Sequence, residues 1–380
     1  MNSTAKIIRA KRSAIILIPT LVFIFCALTP AQDQLSPSKP LHLRWFFESN
    51  GTVSITPATF EKVIYAPLSE GVVVSIRVTD GELFWKSEIG GRISASPVAD
   101  TKGVYVASES FPTHNSPYLQ ATGALRALSR QSGVTTWMRT LPSPIRGALI
   151  SNQATLFGGT SDGRLYAIKK ENGEILWVKY ISSAFNSFPV LSGDTLYVGD
   201  DGGNLLALEQ ATGQTLWRYR THGALENPVV VNEGSVFAGS QDGSVYAINE
   251  STGRLRWRVR TGAAVQSIVD AGKCLLATSL DNFVYCLSPQ RGVRLWKYRL
   301  AGRVLARPLV IGESVLLTPL VGDEGVILSL LDGKKVNSIY VGEDNNTGAS
   351  PLLNGNLILL TTRKGLLAFS NQEATAKTQD

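Results

Sequence analysis

Few residues in this 380-residue chain have the types and spacing that a reaction centre or a metal site requires. The three histidines, His42, His114 and His222, lie far apart, and none has a carboxylate or cysteine at ligand spacing. We therefore expect no metal site. No Cys-x-x-Cys-His motif and no adjacent cysteine pair is present, so covalent haem is not expected either. We predict no catalytic and no cofactor-binding residues.

The charged residues with the clearest spacing are arginines. Arg254, Arg256, Arg258 and Arg260 alternate with apolar residues, so a strand would place all four on one face. The same pattern recurs at Arg218, Arg220, Lys297 and Arg299. This candidate basic belt could meet anionic lipid or an acidic partner. The alternative, which we favour from the sequence, is that charged outer strands prevent sheet-to-sheet aggregation.

The N-terminus has the composition of a targeting segment. Residues 1–31 contain four basic residues and no acid, and residues 14–28 form an apolar run that is short for a membrane span. We predict a secretory signal peptide over residues 1–31, hence an exported protein of the periplasm or cell envelope. Lipidation at Cys26 and a retained anchor stay open, and membrane association is expected only through this segment. The rest carries 33 basic and 30 acidic residues, too mild a balance for a nucleic-acid partner.

The secondary structure that must position any site is predicted by a repeat in the sequence, which is marked by tryptophans. Seven tryptophans are spaced by 40, 52, 40, 40, 40 and 39 residues: Trp45, Trp85, Trp137, Trp177, Trp217, Trp257 and Trp296. All but Trp45 stand four residues after a turn glycine, and short apolar strands fill the intervals. A period near 40 built from strands predicts a β-propeller with one four-stranded blade per repeat. We assign the seven tryptophans to structural docking between blades.

The two ends of the repeat region predict how the ring closes. The last repeat supplies three strands, and the strand around Trp45 has no blade before it. Pairing the two gives an all-β, eight-bladed propeller without an exposed sheet edge at either end. We expect a linker at residues 32–41, the propeller at 42–371, a disordered tail at 372–380, and a monomer.

A small residue recurs on the third strand of each predicted blade, where it would seat a tryptophan ring. The set is Ser75, Ala127, Ala167, Ala207, Ala247, Cys286, Ser329 and Ala368. Alignment with the neighbouring hairpin places Cys286 opposite Ala277, so we predict buried free thiols at Cys274 and Cys286. Because export permits a disulfide, that pairing is the alternative. In the seventh repeat Asn337 replaces tryptophan and the turn after Ser329 reads two residues short, which predicts the weakest docking contact.

The second repeat is 12 residues longer than the standard, and the surplus lies between Ser108 and Gly123. It predicts a hairpin loop on one rim, with Phe111, His114 and Tyr118 as a candidate partner loop. A tolerated insertion without a partner is the alternative.

These repeats resemble the pyrroloquinoline-quinone (PQQ) repeat family, whose docking motif is Ala-x-Asp-x-x-Thr-Gly-x-x-x-Trp. Residues 207–217 read Ala-Leu-Glu-Gln-Ala-Thr-Gly-Gln-Thr-Leu-Trp, and residues 247–257 follow the same pattern. The resemblance covers roughly residues 43–370 and implies the propeller fold. It implies either of two functions, because the family includes quinoprotein alcohol dehydrogenases, which hold PQQ and calcium, and cofactor-free BamB-type outer-membrane assembly factors.

The residues favour the second branch. No adjacent cysteine pair is present to clamp PQQ, and every repeat tryptophan is already assigned to docking. We therefore expect a non-catalytic scaffold without PQQ or calcium that binds another envelope protein. A PQQ-dependent oxidoreductase and an extracytoplasmic propeller with a ligand in its channel remain the alternatives.

Overall fold

The fold is a ring of eight four-stranded antiparallel blades. The computed structural model describes residues 35–110, 121–181, 183–343, 345 and 347–372. Within these residues every regular element is a strand, and the predicted all-β, eight-bladed propeller is confirmed. The same residues include no helix with the length and apolarity that crossing a bilayer requires. The predicted signal peptide, Cys26 and all but the first residue of the predicted tail lie outside the described residues.

The blades follow one another along the chain, and each runs from an inner first strand to an outer fourth strand. The strands of blades one to four are Ala58–Phe60, Val63–Leu68, Val72–Arg77 and Leu83–Glu88; Val98–Ala99, Val104–Ser110, Thr122–Leu128 and Thr135–Leu141, with Arg92–Ile93 added beside the second strand; Ile150–Ser151, Thr155–Gly159, Arg164–Lys169 and Ile175–Tyr180; and Val190–Ser192, Thr195–Gly199, Asn204–Glu209 and Thr215–Arg220. Those of blades five to eight are Val230–Asn232, Ser235–Gly239, Ser244–Asn249 and Leu255–Arg260; Val265–Asp270, Leu275–Ser279, Phe283–Leu287 and Arg294–Arg299; Leu309–Ile311, Ser314–Leu317, Glu324–Ser329 and Lys335–Tyr340; and Leu352–Asn354, Leu357–Thr362, Gly365–Ser370 and His42–Glu48.

Blade eight joins the two ends of the chain, as predicted. Its outer strand is the N-terminal His42–Glu48, which pairs antiparallel with Gly365–Ser370 from the C-terminal end. The register sets Trp45 opposite Ala368. This pairing covers one edge of each of the two terminal strands and leaves blade eight with the same single outer edge as the other blades, and an exposed edge is a template for aggregation.

Each tryptophan sits in a row of three side chains across its own blade. In blade four the row is Tyr197, Ala207 and Trp217, because the strand register pairs Ala207 with both rings. In the five blades where the second-strand residue is Tyr or Phe, its ring centroid lies 5.7–6.2 Å from that of the tryptophan. The recurring small residue therefore leaves room for two aromatic rings to approach above it.

The same tryptophans connect neighbouring blades. Each indole N–H donates to a backbone carbonyl of the next blade at 2.7–3.0 Å. Each ring also covers the turn glycine of that blade, where a Cβ would lie 2.5–2.8 Å from a ring carbon. These glycines have φ between +67° and +77°, so only glycine meets both the turn conformation and the close approach. Seven of the eight junctions use this contact.

The eighth junction uses Asn337 and the N-terminal turn instead. The Asn337 side-chain amide donates to the carbonyls of Pro37 and Lys39 at 2.9 and 2.7 Å. Across the same turn, Asn371 accepts from the Ser36 N–H at 2.6 Å and donates to its carbonyl at 2.9 Å. Residues 36–40, predicted to be linker, therefore take the place of the hairpin turn that blade eight lacks.

Two register predictions from the sequence are wrong. In blade seven the residue opposite Asn337 is Ile327, not Ser329. Gly333 N–H bonds to the Ser329 carbonyl in the manner of the other blades, so the turn is of standard length. The smaller Asn337 side chain leaves the volume that Ile327 occupies.

The prediction of free thiols is also wrong, because Cys274 and Cys286 form a disulfide. Cys286 lies opposite Leu276 rather than Ala277. The sixth repeat is one residue shorter than the fifth, and the missing residue falls between Arg260 and Val269, before the hairpin of the second and third strands. That hairpin therefore has the same length as the one in blade five. That register puts both cysteines on the same face, with their Cα atoms 5.6 Å apart.

Candidate functional site

The axis of the ring is lined by one residue from each blade. In every blade the row that ends in the tryptophan, or in Asn337 in blade seven, begins at a residue of the inner strand. The axial residue stands two positions before that inner-strand residue in all eight blades, so the eight positions are equivalent. In chain order they are Thr56, Ser96, Ala148, Phe188, Pro228, Ser267, Arg307 and Ser350. They surround a cavity of about 410 Å³, and Ala148, Phe188, Pro228 and Arg307 also line an adjoining cavity of about 440 Å³. We call these eight residues the axial ring.

Arg307 is the one charged member of the axial ring. Its side chain is exposed to the channel but surrounded by protein, and this desolvation lowers the pKa of the guanidinium. Its backbone N–H donates to Ser350 Oγ at 3.0 Å, and the Ser350 N–H donates to Thr56 Oγ1 at 2.9 Å. These bonds connect blades seven, eight and one at the axis without using the guanidinium.

The outer strands form the second candidate surface. The side chains one and three residues after each tryptophan point outward, and in blades four, five and six all of them are exposed cations. We call this set the cationic arc: Arg218, Arg220, Arg258, Arg260, Lys297 and Arg299. Blades two and three carry Met138, Thr140, Val178 and Tyr180 at the equivalent positions, also exposed. The charge is therefore concentrated on three adjacent blades rather than spread around the ring.

In blade five all four arginines of the predicted belt are exposed, but the alternation is not regular, because Arg254 precedes the outer strand and a register shift between Leu255 and Trp257 leaves Leu255 exposed as well. Arg256 donates to Ser235 Oγ at 2.8 Å. Arg258 donates to Ser244 Oγ at 2.9 Å and pairs with Asp242 at 3.0 Å. Two of the four thus brace the blade.

The Arg258 contact belongs to a polar cluster at one end of blade five. Tyr246 OH donates to Asp242 Oδ2 at 2.5 Å. Burial raises the pKa of Tyr246 to about 12, and the bond to Asp242 adds to the shift. Burial alone would raise the pKa of Asp242, but hydrogen bonds from Tyr246 and Ser244 outweigh it, and the net pKa is lowered. Blade six repeats the bond with Tyr285 and Asp281 at 2.5 Å, which indicates a structural turn motif.

The candidate partner loop was predicted at Phe111, His114 and Tyr118, and these three residues lie outside the described residues. The structure does describe the base of this hairpin. There Glu109 is only 2% exposed and accepts from Arg146 at 2.6 Å. A buried, paired carboxylate at this point fixes the hairpin base to blade three.

The remaining predicted residues lie apart. His42 is on the outer strand of blade eight, and His222 lies 3.1 Å from Tyr246 OH on blade five. Among the described residues, no three His, Cys, Asp or Glu side chains are grouped so as to hold a metal ion. The axial ring was missed by sequence reasoning, although a recurring signal is present, because a proline directly follows five of its eight members.

Comparison with known proteins identifies what the chain resembles. A family profile described as outer membrane protein assembly factor BamB matches residues 69–187, 181–270 and 242–377. No curated protein sequence matches the chain significantly.

Solved structures share the fold at low sequence identity. BamB from Moraxella catarrhalis aligns with a TM-score of 0.74 and 16% identity, over 90% of this chain and 99% of that one. The computationally designed Ika8 protein gives 0.72 and 13%, over 87% and 99%. Quinohemoprotein alcohol dehydrogenase from Comamonas testosteroni gives 0.73 and 13%, over 92% and 79%. At such identities the likeness concerns the fold alone.

Proposed function

The chain belongs to the BamB family of β-propellers, and from that membership we propose that it is an exported, non-catalytic scaffold that binds another protein of the cell envelope. The observation that carries the proposal is the cationic arc on blades four to six. By analogy with the family description, the partner takes part in outer membrane protein assembly. The proposal includes a monomeric propeller with neither cofactor nor nucleic acid.

The distribution of charge favours a partner over simple edge protection. Protection against sheet-to-sheet aggregation is needed on every blade, because each blade ends in an exposed fourth strand. The outer strands of blades two and three carry instead the exposed apolar residues Met138, Val178 and Tyr180, at 46–67% exposure. Cations at both outward positions after the tryptophan in three adjacent blades are expected where an acidic surface is recognised.

Three arginines of the arc are available for such a contact. Arg220, Arg260 and Arg299 stand three residues after their tryptophans, one in each of the three blades, and all are exposed. Within the described part of the chain, their side chains make no hydrogen bond or ion pair, unlike Arg258. Rim charges of this kind increase association rates and make binding depend on salt.

The channel residues do not fit the PQQ and calcium that the enzymatic branch of the family uses. Calcium takes six to eight oxygen ligands. Among the described residues that line the two axial cavities, the one carboxylate is Asp270, which already accepts from the Asn232 amide at 2.8 Å and the Gly272 N–H at 2.9 Å. The tryptophans that a quinone would stack on are committed to docking between blades. We therefore derive no redox step.

The arc can be tested by charge reversal with crosslinking in cells. A photoreactive residue is placed at Tyr180, beside the arc, in the natural host. It is then combined with the triple variant Arg220→Glu, Arg260→Glu and Arg299→Glu. We expect a discrete crosslinked envelope protein from the parent chain, and a yield reduced about tenfold or more by the triple variant, because three attractive contacts become repulsive.

Lys86→Glu is the matched control, because Lys86 is an exposed outer-strand cation on blade one. It should leave the crosslink unchanged, and both proteins should keep the parent melting temperature. A triple variant that is folded and crosslinks as efficiently as the parent would refute the arc as the partner surface.

A further inference from the structure

The axial ring has the composition of a ligand site and not only of a packed core. Its eight members include four hydroxyl side chains, one aromatic ring and one guanidinium around a cavity of about 410 Å³. Small-molecule pockets in proteins have volumes of about 300–1,000 Å³, apolar walls and a few polar groups that fix orientation. Pro57, Pro97, Pro308 and Leu352 add further apolar lining. The cavity meets each of these criteria.

Arg307 supplies the polar group in this cavity. Its guanidinium offers five N–H donors in a planar fork that matches a carboxylate. Within the described residues it has no ion pair or side-chain hydrogen bond. Loss of water is the cause of its pKa shift, with no carboxylate contributing. A partly desolvated cation without a protein counterion is stabilised by a bound anion.

The apolar residues near Arg307 restrict the kind of anion. Leu305 is 43% exposed and lines the same cavity, as does Phe188 of blade four, three blades away from Arg307 around the ring. An anion held at Arg307 therefore has a partly apolar space beside it for its other end. Inorganic anions gain nothing from such surroundings, whereas an organic anion buries apolar area there.

We propose that the axial channel binds a small organic carboxylate, with its carboxyl group on Arg307 and its apolar body among Phe188, Leu305 and the prolines of the inner strands. Serine and threonine hydroxyls of the axial ring stand beside the same cavity as further donors. This proposal is independent of the scaffold function, because the cationic arc lies on the outer strands and the channel on the inner ones.

The test is isothermal titration of the full chain with three probes. Benzoate has the charge and the apolar body, benzamide has the body without the charge, and acetate has the charge with little body. We expect benzoate to bind with one site per chain, acetate to bind more weakly, and benzamide to give no measurable heat. Inorganic phosphate serves as a fourth probe and should bind more weakly than benzoate.

The variant Arg307→Gln removes the charge and keeps much of the side-chain volume. Loss of a charge-assisted hydrogen bond is expected to weaken benzoate binding about tenfold or more. Arg294→Gln is the control, since Arg294 is an exposed arginine of the outer strand of blade six that belongs neither to the axial ring nor to the cationic arc, and it should leave the affinity unchanged. An unchanged melting temperature in both variants shows that each is folded.

Three results would overturn the proposal. They are the absence of benzoate binding to the parent chain, equal binding of benzoate and benzamide, and undiminished binding by folded Arg307→Gln. None of these bears on the cationic arc, whose failure would appear in the crosslinking yield alone.

Discussion

The docking of each tryptophan on the next blade can be tested at a single turn glycine. Gly213 has a φ of +70°, and a Cβ there would lie 2.8 Å from Cε3 of Trp177. In Gly213→Ala the left-handed backbone costs about 1–2 kcal/mol. The displaced indole also loses its bond to the Gln210 carbonyl, worth about 1–3 kcal/mol when a buried donor stays unpaired. We expect a total loss of about 2–5 kcal/mol in the free energy of unfolding.

Gly272→Ala is the matched control, because Gly272 has a φ of +71° and no atom within 4 Å of the Cβ position. Its free energy of unfolding should fall only by the cost of placing alanine in the left-handed backbone conformation, about 1–2 kcal/mol. The assay is urea unfolding followed by circular dichroism, under non-reducing conditions. Trp177→Phe and the double variant complete a cycle, in which coupling between positions 177 and 213 is expected. Equal losses for the two alanine variants, with no coupling in the cycle, would refute the docking argument.

Three further predictions concern closure, the disulfide and pH. Asn337→Ala removes both bonds to the N-terminal turn, so amide exchange of residues 36–48 should accelerate and stability should fall by about 1–3 kcal/mol; unchanged exchange would contradict the closure described above. Cys286→Ser opens a loop of sequence separation 12, and urea titration should show a loss of about 3 kcal/mol, matched by reduction of the parent chain. The pKa of Asp242 is lowered in the folded state, so its contribution to stability is present at neutral pH and is lost as pH falls below its ordinary value of 3.8. Asp242→Asn should therefore reduce the fall in the free energy of unfolding between about pH 5 and pH 2. An unaltered dependence on pH would contradict the lowered pKa of Asp242.

The features that sequence reasoning predicted correctly depend on a repeated local rule. Because a tryptophan four residues after a turn glycine recurs with a period near 40, the blade unit and the docking role could both be predicted from the sequence alone. The orphan strand around Trp45 predicted the closure in the same way, since three C-terminal strands lacked a fourth. These are contacts between residues near in sequence or related by the repeat.

The features that were missed depend on departures from the repeat. The predicted register of the sixth hairpin was wrong by one residue, and a shift of one residue is enough to move Cys286 to the face of Cys274, because side chains alternate along a strand. In blade seven the Asn337 substitution drew attention to Ser329, whereas Ile327 fills the position. The axial ring is built from one residue in each of eight blades, and nothing in the local sequence distinguishes Arg307 from the other residues that begin inner strands.

We propose that this BamB-family propeller binds a protein partner rather than a redox cofactor. A calorimetric titration of the full chain with PQQ, with and without calcium, followed by an assay of dye-linked alcohol oxidation, distinguishes the two. We expect no calcium-dependent binding, no alcohol oxidation, and at most a weak heat that Arg307→Gln removes. Tight stoichiometric binding that requires calcium and supports alcohol oxidation would show that the propeller is an enzyme and not a scaffold.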